Sequence, residues 1–187
     1  MIWPMGDSVG SSRGDSVDYC VVDITERYPE IDPDIEGVVD RMSTIQKHAS
    51  RIFEQTLSAH GLNHGEYRLL LRLATRTEDK TMSAGALSKM LLLSSGAMTN
   101  RLDNMEAAGL VRRVPDPKDR RGVLVELTEK GEQTLDNAVI GSAREDAAML
   151  TGLTAKETAQ LNGLLRKVLG SMEERYHEDK PAEAVAD

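Results

Sequence analysis

The chain is poor in several features that would have pointed to common classes of protein. It has one cysteine, Cys20, among 187 residues. It can therefore form no intrachain disulfide, and a reducing, cytoplasmic setting is expected. Aromatic residues are scarce, with one Trp, one Phe and four Tyr, which argues against a stacking platform for single-stranded nucleic acid. No apolar run approaches the roughly 20 residues that span a bilayer, so no membrane partner is expected. The opening MIWPMGDSVGSSRGD has no basic segment leading into an apolar stretch, unlike a secretory signal. Excess positive charge is also missing. The formal net charge is −8, so any surface for nucleic acid has to be a local basic patch on an acidic protein. There is no phosphate-cradling glycine loop, no nucleophile paired with a base and no metal triad, so neither catalysis nor a cofactor is expected.

What the chain does carry is helical periodicity broken by one short change of period. Residues 1–31 read as an N-terminal arm, disordered over its Gly- and Ser-rich part, with a possible short helix over 18–28 through Val21, Ile24 and Tyr28. Asp32-Pro33 then opens a helix as cap and first-turn residue. Its apolar stripe runs through Ile35, Val38, Val39, Met42, Ile45, Ala49, Ile52 and Phe53 to about Leu57, and Gly61 stops it. Asn63 and Glu66 have the spacing of a capping box for the next helix, whose buried side is Tyr67, Leu70, Leu71 and Ala74. A polar loop over 76–81 precedes a short helix capped by Ser83 and containing Leu87, Met90 and Leu91.

Residues 92–110, LLSSGAMTNRLDNMEAAGL, predict a helix with two different faces. Ala97, Met98, Leu102, Met105 and Ala108 recur at three and four residues and form the inner stripe. Ser94 or Ser95 is the cap, and Gly109 ends the helix in a left-handed conformation. Ser95, Gly96, Thr99, Asn100 and Asp103, with Arg101 at the edge, form a face of short hydrogen-bonding groups suited to base edges in a major groove. The period then changes to that of strands. Residues 110–114 and the alternating Val123, Val125 and Leu127 make a β-hairpin around the loop PDPKDRRG. In and beside that loop Arg112, Arg113, Lys118, Arg120 and Arg121 outnumber Asp116 and Asp119, against the sign of the whole chain. Thr128 caps a further helix through Leu135, Ala138, Val139, Ala143, Ala147 and Leu150. Thr154 and Glu157 open a last one with a broad stripe of Leu161, Leu164, Leu165, Val168, Leu169 and Met172. These outer stripes exceed what a small winged domain covers, and a second copy of the chain is their simplest cover.

The fold class expected is mainly α with a small β-hairpin wing: a winged helix-turn-helix over 62–128, flanked by dimerisation helices over 32–60 and 129–175, with a disordered acidic tail over 176–187. The run LSSGAMTNRLDNMEAAGLVRR over 93–113 and the run DRRGVLVELT over 119–128 resemble the MarR family of transcriptional regulators. In the second run D-x-R is followed by L-T after five intervening residues, as in the family's wing. The likeness extends over about residues 33–172. It implies a homodimer on a palindromic double-stranded operator. It also implies major-groove contacts from Ser94, Ser95, Thr99, Asn100 and Arg101, to which the polar face adds Gly96, and a wing contact from Arg121 held by Asp119, to which the basic hairpin adds Arg113, Lys118 and Arg120. It further implies a repressor released by a small phenolic or lipophilic effector, for which Met42, Ile45, Tyr67, Leu71 and Met105 are the candidate lining.

Two alternatives share that fold. A redox or metal sensor would use Cys20 or the pair His60 and His64. Nothing basic adjoins Cys20 to favour its thiolate, however, and no further ligand completes a site at the histidines. A winged helix used only for protein contact would show no salt-dependent duplex binding, and the charges of the wing argue against it.

Overall fold

The computed structural model describes residues 14–76, 80–117, 119 and 122–178. Helix α1 spans Ser16–Arg27, α2 Pro33–Ala59, α3 His64–Arg76, α4 Ala84–Leu91, α5 Ser95–Ala107, α6 Glu129–Met149 and α7 Ala155–Glu178. Strands β1 (Thr81–Ser83), β2 (Val111–Pro115) and β3 (Val123–Leu127) form one antiparallel sheet in the order β1-β3-β2.

The helix starts follow their caps. Asp15 and Asp18 form a capping box for α1, which begins two residues earlier than the periodicity of 18–28 suggests. The Asp32 carboxylate accepts from the N–H groups of Asp34 and Ile35, with Pro33 at the first position of α2. At α3 the Asn63 side chain accepts from Gly65 and Glu66 while Glu66 accepts from the Asn63 N–H. The same reciprocal pair joins Thr154 and Glu157 at α7. Each satisfies donors that a helix N-terminus otherwise leaves without partners.

Two further boundaries differ from expectation. The polar loop before α4 runs into a short strand, β1, so the wing is a three-stranded sheet and not a bare hairpin: Met82 pairs with Val125 and Thr81 with Glu126. A three-residue strand is too short to show alternation in sequence. Helix α7 continues to Glu178, beyond the onset of the expected tail at 176. The arm before Gly14 and the tail beyond Glu178 lie outside the described residues.

The core is centred on the winged unit and takes in Leu57 of α2 and Leu135 and Ala138 of α6. Leu57, Leu62, Leu69, Leu70, Leu73, Leu87, Leu91, Met98, Leu102, Met105, Leu110, Val111, Val125, Leu127, Leu135 and Ala138 form one buried cluster, with Phe53, Tyr67 and Leu71 packed against it. Phe53 meets the Tyr67 ring edge-on at 5.3 Å, a favoured aromatic geometry. Helix α6 enters this unit at a tight junction. The Thr128 hydroxyl donates to the Gly109 carbonyl at 2.7 Å and accepts from the Gly131 N–H at 3.0 Å. A Cβ at Gly131 would stand 2.0 Å from the Leu110 carbonyl oxygen, so only glycine lets the first turn of α6 approach the end of α5 this closely.

Candidate nucleic-acid interface

Helix α5 is held by one face and free on the other. Met98, Leu102 and Met105 are buried to within 1% exposure, fixing the rotation of the helix about its axis. Ala97 and Ala108 were expected in the same stripe but are exposed; they flank the contact without joining it. Ser94 is the cap, and its side chain accepts from the Ala97 N–H at 3.3 Å. Ser94, Ser95, Gly96, Thr99 and Asn100 are all exposed on the free side. The N-terminal N–H groups of α5 add the positive end of the helix dipole to that end of the face.

Arg101 is half-buried, and its guanidinium lies against the first turn of α3. A Cβ on Gly65 would fall 2.5 Å from Arg101 Cζ, so glycine there makes the room that the side chain occupies. At the other end of α5 the Lys130 ammonium donates to the Ala108 carbonyl at 2.6 Å, closing the helix with a cation where its dipole is negative.

The wing is tied to α5 by charge. Arg113 on β2 reaches Asp103 at 2.5 Å and also pairs with Glu106, while its backbone N–H donates to Glu106 at 2.9 Å. These bonds hold the Glu106 carboxyl below the usual glutamate range, first through the Arg113 N–H and then through its guanidinium. The Asp103 bond in turn raises the Arg113 guanidinium pKa further. Arg112 pairs across the sheet with Glu126, which lowers the Glu126 pKa. Two of the five basic residues counted in the hairpin are therefore engaged with acidic partners of the same fold. Such pairs join residues seven to fourteen positions apart, across a turn, and periodicity along the chain does not reveal them. Asp119 is exposed, while Lys118, Arg120 and Arg121 lie outside the described residues.

Met105 is fully buried, Tyr67 and Leu71 are half-buried against the core, and Met42 and Ile45 are exposed on α2. A cleft of about 420 Å³ between α2 and the start of α3 is lined by Glu54, Leu57, Ser58, Leu62, Asn63, His64 and Gly65, none of them in that set. His60 is the C-cap of α2, and His64 lies edge-on to Phe53 at 5.7 Å. Cys20 is exposed on α1.

A buried stripe beneath an exposed polar face, preceded by a short helix and followed by a sheet tied to it, is winged helix-turn-helix geometry. The MarR family's sequence pattern matches residues 60–122. The multiple antibiotic resistance protein MarR of Escherichia coli is 30% identical over 127 residues, covering 67% of this chain and 85% of that protein. The chain belongs to the MarR family. It is a DNA-binding transcriptional regulator. The crystal structure of wild-type E. coli MarR superposes with a TM-score of 0.56 at 28% identity, covering 70% of this chain and 95% of that one. The transcriptional regulator PecS of Dickeya dadantii is 26% identical over 152 residues, 79% of this chain and 92% of PecS. An S. aureus MepR mutant bound to an oligodeoxyribonucleotide shares the fold, with a TM-score of 0.60 at 20% identity over 72% of this chain and 96% of that one.

Proposed function

We propose that this MarR-family chain acts as a homodimer that sets two α5 helices into successive major grooves of a palindromic operator, and that it represses until a small phenolic or lipophilic effector releases it. The observation that carries the reading is the exposed face Ser95, Gly96, Thr99 and Asn100 on a helix whose opposite side is fully buried. Short polar groups at that spacing meet base edges, while the rigid stripe beneath sets their register. Two such helices related by a twofold axis fit half-sites about 34 Å apart. The wing tip supplies the backbone and minor-groove contacts in this reading, through Lys118, Arg120 and Arg121, with Asp119 orienting Arg121. Arg113 serves mainly by fixing the wing to α5. The effector lodges between α2 and the winged unit, against Met42, Ile45, Tyr67 and Leu71, and displaces Met105 from its packing.

The test is fluorescence anisotropy on a duplex selected from random sequence by the full-length protein. Asn100→Ala is expected to relax preference at one base pair of each half-site, at a cost of about 1–3 kcal/mol. An equal loss on every sequence would remove Asn100 from base reading. Arg121→Ala is expected to lower the slope of log affinity against log salt by about 1 if it neutralises one phosphate.

A further inference from the structure

Leu92, in the turn between α4 and α5, is 91% exposed, the most exposed large apolar side chain among the described residues. Its backbone is left-handed, with φ 54° and ψ 45°. There it closes α4: the Leu92 N–H faces the Lys89 carbonyl, and the Leu93 N–H donates to the Ser88 carbonyl at 2.9 Å. A left-handed cap is a glycine position, because any Cβ crowds the following carbonyl oxygen. Leucine is doubly misplaced, since it strains the backbone and holds an isobutyl group in water. The adjacent Leu93 packs against the core, whereas Leu92 points away from it. Backbone strain of this kind clusters at functional sites.

The position of Leu92 narrows that use. Two residues further on is Ser94, the cap of α5, so the two Cα atoms lie within about 7 Å of each other. Ser94, Ser95 and Gly96 are all exposed at that end of the reading helix. In the major groove the C5-methyl of thymine is the apolar mark among hydrogen-bonding groups. We infer that Leu92 reads sequence: its isobutyl group packs on the methyl of a thymine beside the N-terminus of α5. The inference rests on α5 lying in the major groove.

The experiment uses the selected duplex with each thymine replaced in turn by deoxyuridine, which removes only the methyl group. Wild-type protein is expected to lose about fourfold in affinity, the worth of one buried methyl, at one thymine of each half-site. Leu92→Gly should bind the thymine duplex more weakly by a similar factor, ignore the deoxyuridine change there, and melt at or above the wild-type temperature. Leu92→Ala, which keeps the left-handed Cβ, should show the same indifference. The inference is overturned if no thymine is sensitive in wild type, if the sensitivity survives in both variants, or if Leu92→Gly binds like wild type. A weaker Leu92→Gly with no sensitive thymine would mean contact with a sugar and no reading of bases. Failure of the α5 reading itself is separate, because Asn100→Ala would then leave binding and preference unchanged.

Discussion

The winged unit and the helices around it were built from similar apolar stripes, yet a single chain treats them in opposite ways. From α3 to β3 the stripes close on one another. Leu69, Leu70, Leu73, Leu87, Leu102 and Met105 are all within 1% exposure. On α2, Ile35, Val38, Val39 and Ile45 remain more than half exposed, and on α7 the exposure of Leu164 and Leu169 reaches 59% and 57%. Of the residues described in α7, only Thr158, Gly163 and Gly170 are even partly buried. An apolar face of that length left in water is characteristic of a surface that another molecule covers. The reading unit is thus complete within one chain, and the frame that carries it is not. In the proposed dimer such a division lets an effector act on the frame, shifting the spacing of two rigid readers without disturbing either.

The same truncation in the two regions sharpens that contrast most. Leu102→Ala removes a side chain with 1% exposure from the centre of the winged unit, and a loss of about 2–5 kcal/mol is expected at every protein concentration. Leu165→Ala, at 41% exposure, should change the urea midpoint little in dilute solution, with a larger effect only as the concentration rises. A loss at Leu165 equal to that at Leu102 and independent of concentration would break the comparison. Next in size is Leu165→Asp, which puts a charge on the uncovered stripe. Light scattering at micromolar concentration should change from twice the chain mass to the chain mass, while circular dichroism keeps its helical signal. Retention of the larger species would show that another surface joins the copies.

How much of this was legible in the sequence depended on the range of the interactions involved. Capping pairs such as Asn63 with Glu66 and Thr154 with Glu157 lie three residues apart, and the helices start where those pairs place them. The two faces of α5 were legible for the same reason, since periodicity is a local property. The edges of its stripe were not: whether Ala97 and Ala108 are covered depends on neighbours from other elements. Strand β1 escaped because its partner β3 lies more than forty positions on, and three residues carry no pattern. The engagement of Arg112 and Arg113 with Glu126, Asp103 and Glu106 was hidden likewise, and it turns an apparent excess of basic charge into a partly neutralised tether. Leu92 stood out in no way at the head of the run 92–110, because a left-handed backbone leaves no trace in composition.

The tether itself gives the next smaller effect. Arg113→Ala removes a guanidinium that is one-third exposed and paired twice, and stability should fall by only about 0.5–1 kcal/mol, as for other partly exposed pairs. Affinity for the selected duplex should fall by more than stability does, because the wing loses its fixed angle to α5. Equal losses in melting and in binding would mean that the pair contributes only to folding.

The smallest effect is a pH dependence confined to that tether. The Glu106 carboxyl is held below its ordinary value of 4.5, first by the Arg113 N–H and then by the Arg113 guanidinium. A carboxylate with a depressed value in the folded state contributes its full share above the unfolded value, and loses it as the pH falls through the folded one. Between neutral pH and about 5 the tether should therefore be indifferent to pH, and below about 4.5 it should loosen progressively. The Arg113 amide reports this directly, because its hydrogen bond ends on Glu106. Its protection against hydrogen exchange, measured by NMR, should decline with acidity below that point, while amides paired within the sheet, such as those between Val114 and Leu124, keep theirs. In Glu106→Gln the Arg113 amide should show lower protection with no such decline. If wild type and variant instead lose protection together, and the sheet amides with them, the acid effect belongs to the whole winged unit and the wing has no separate hold on α5.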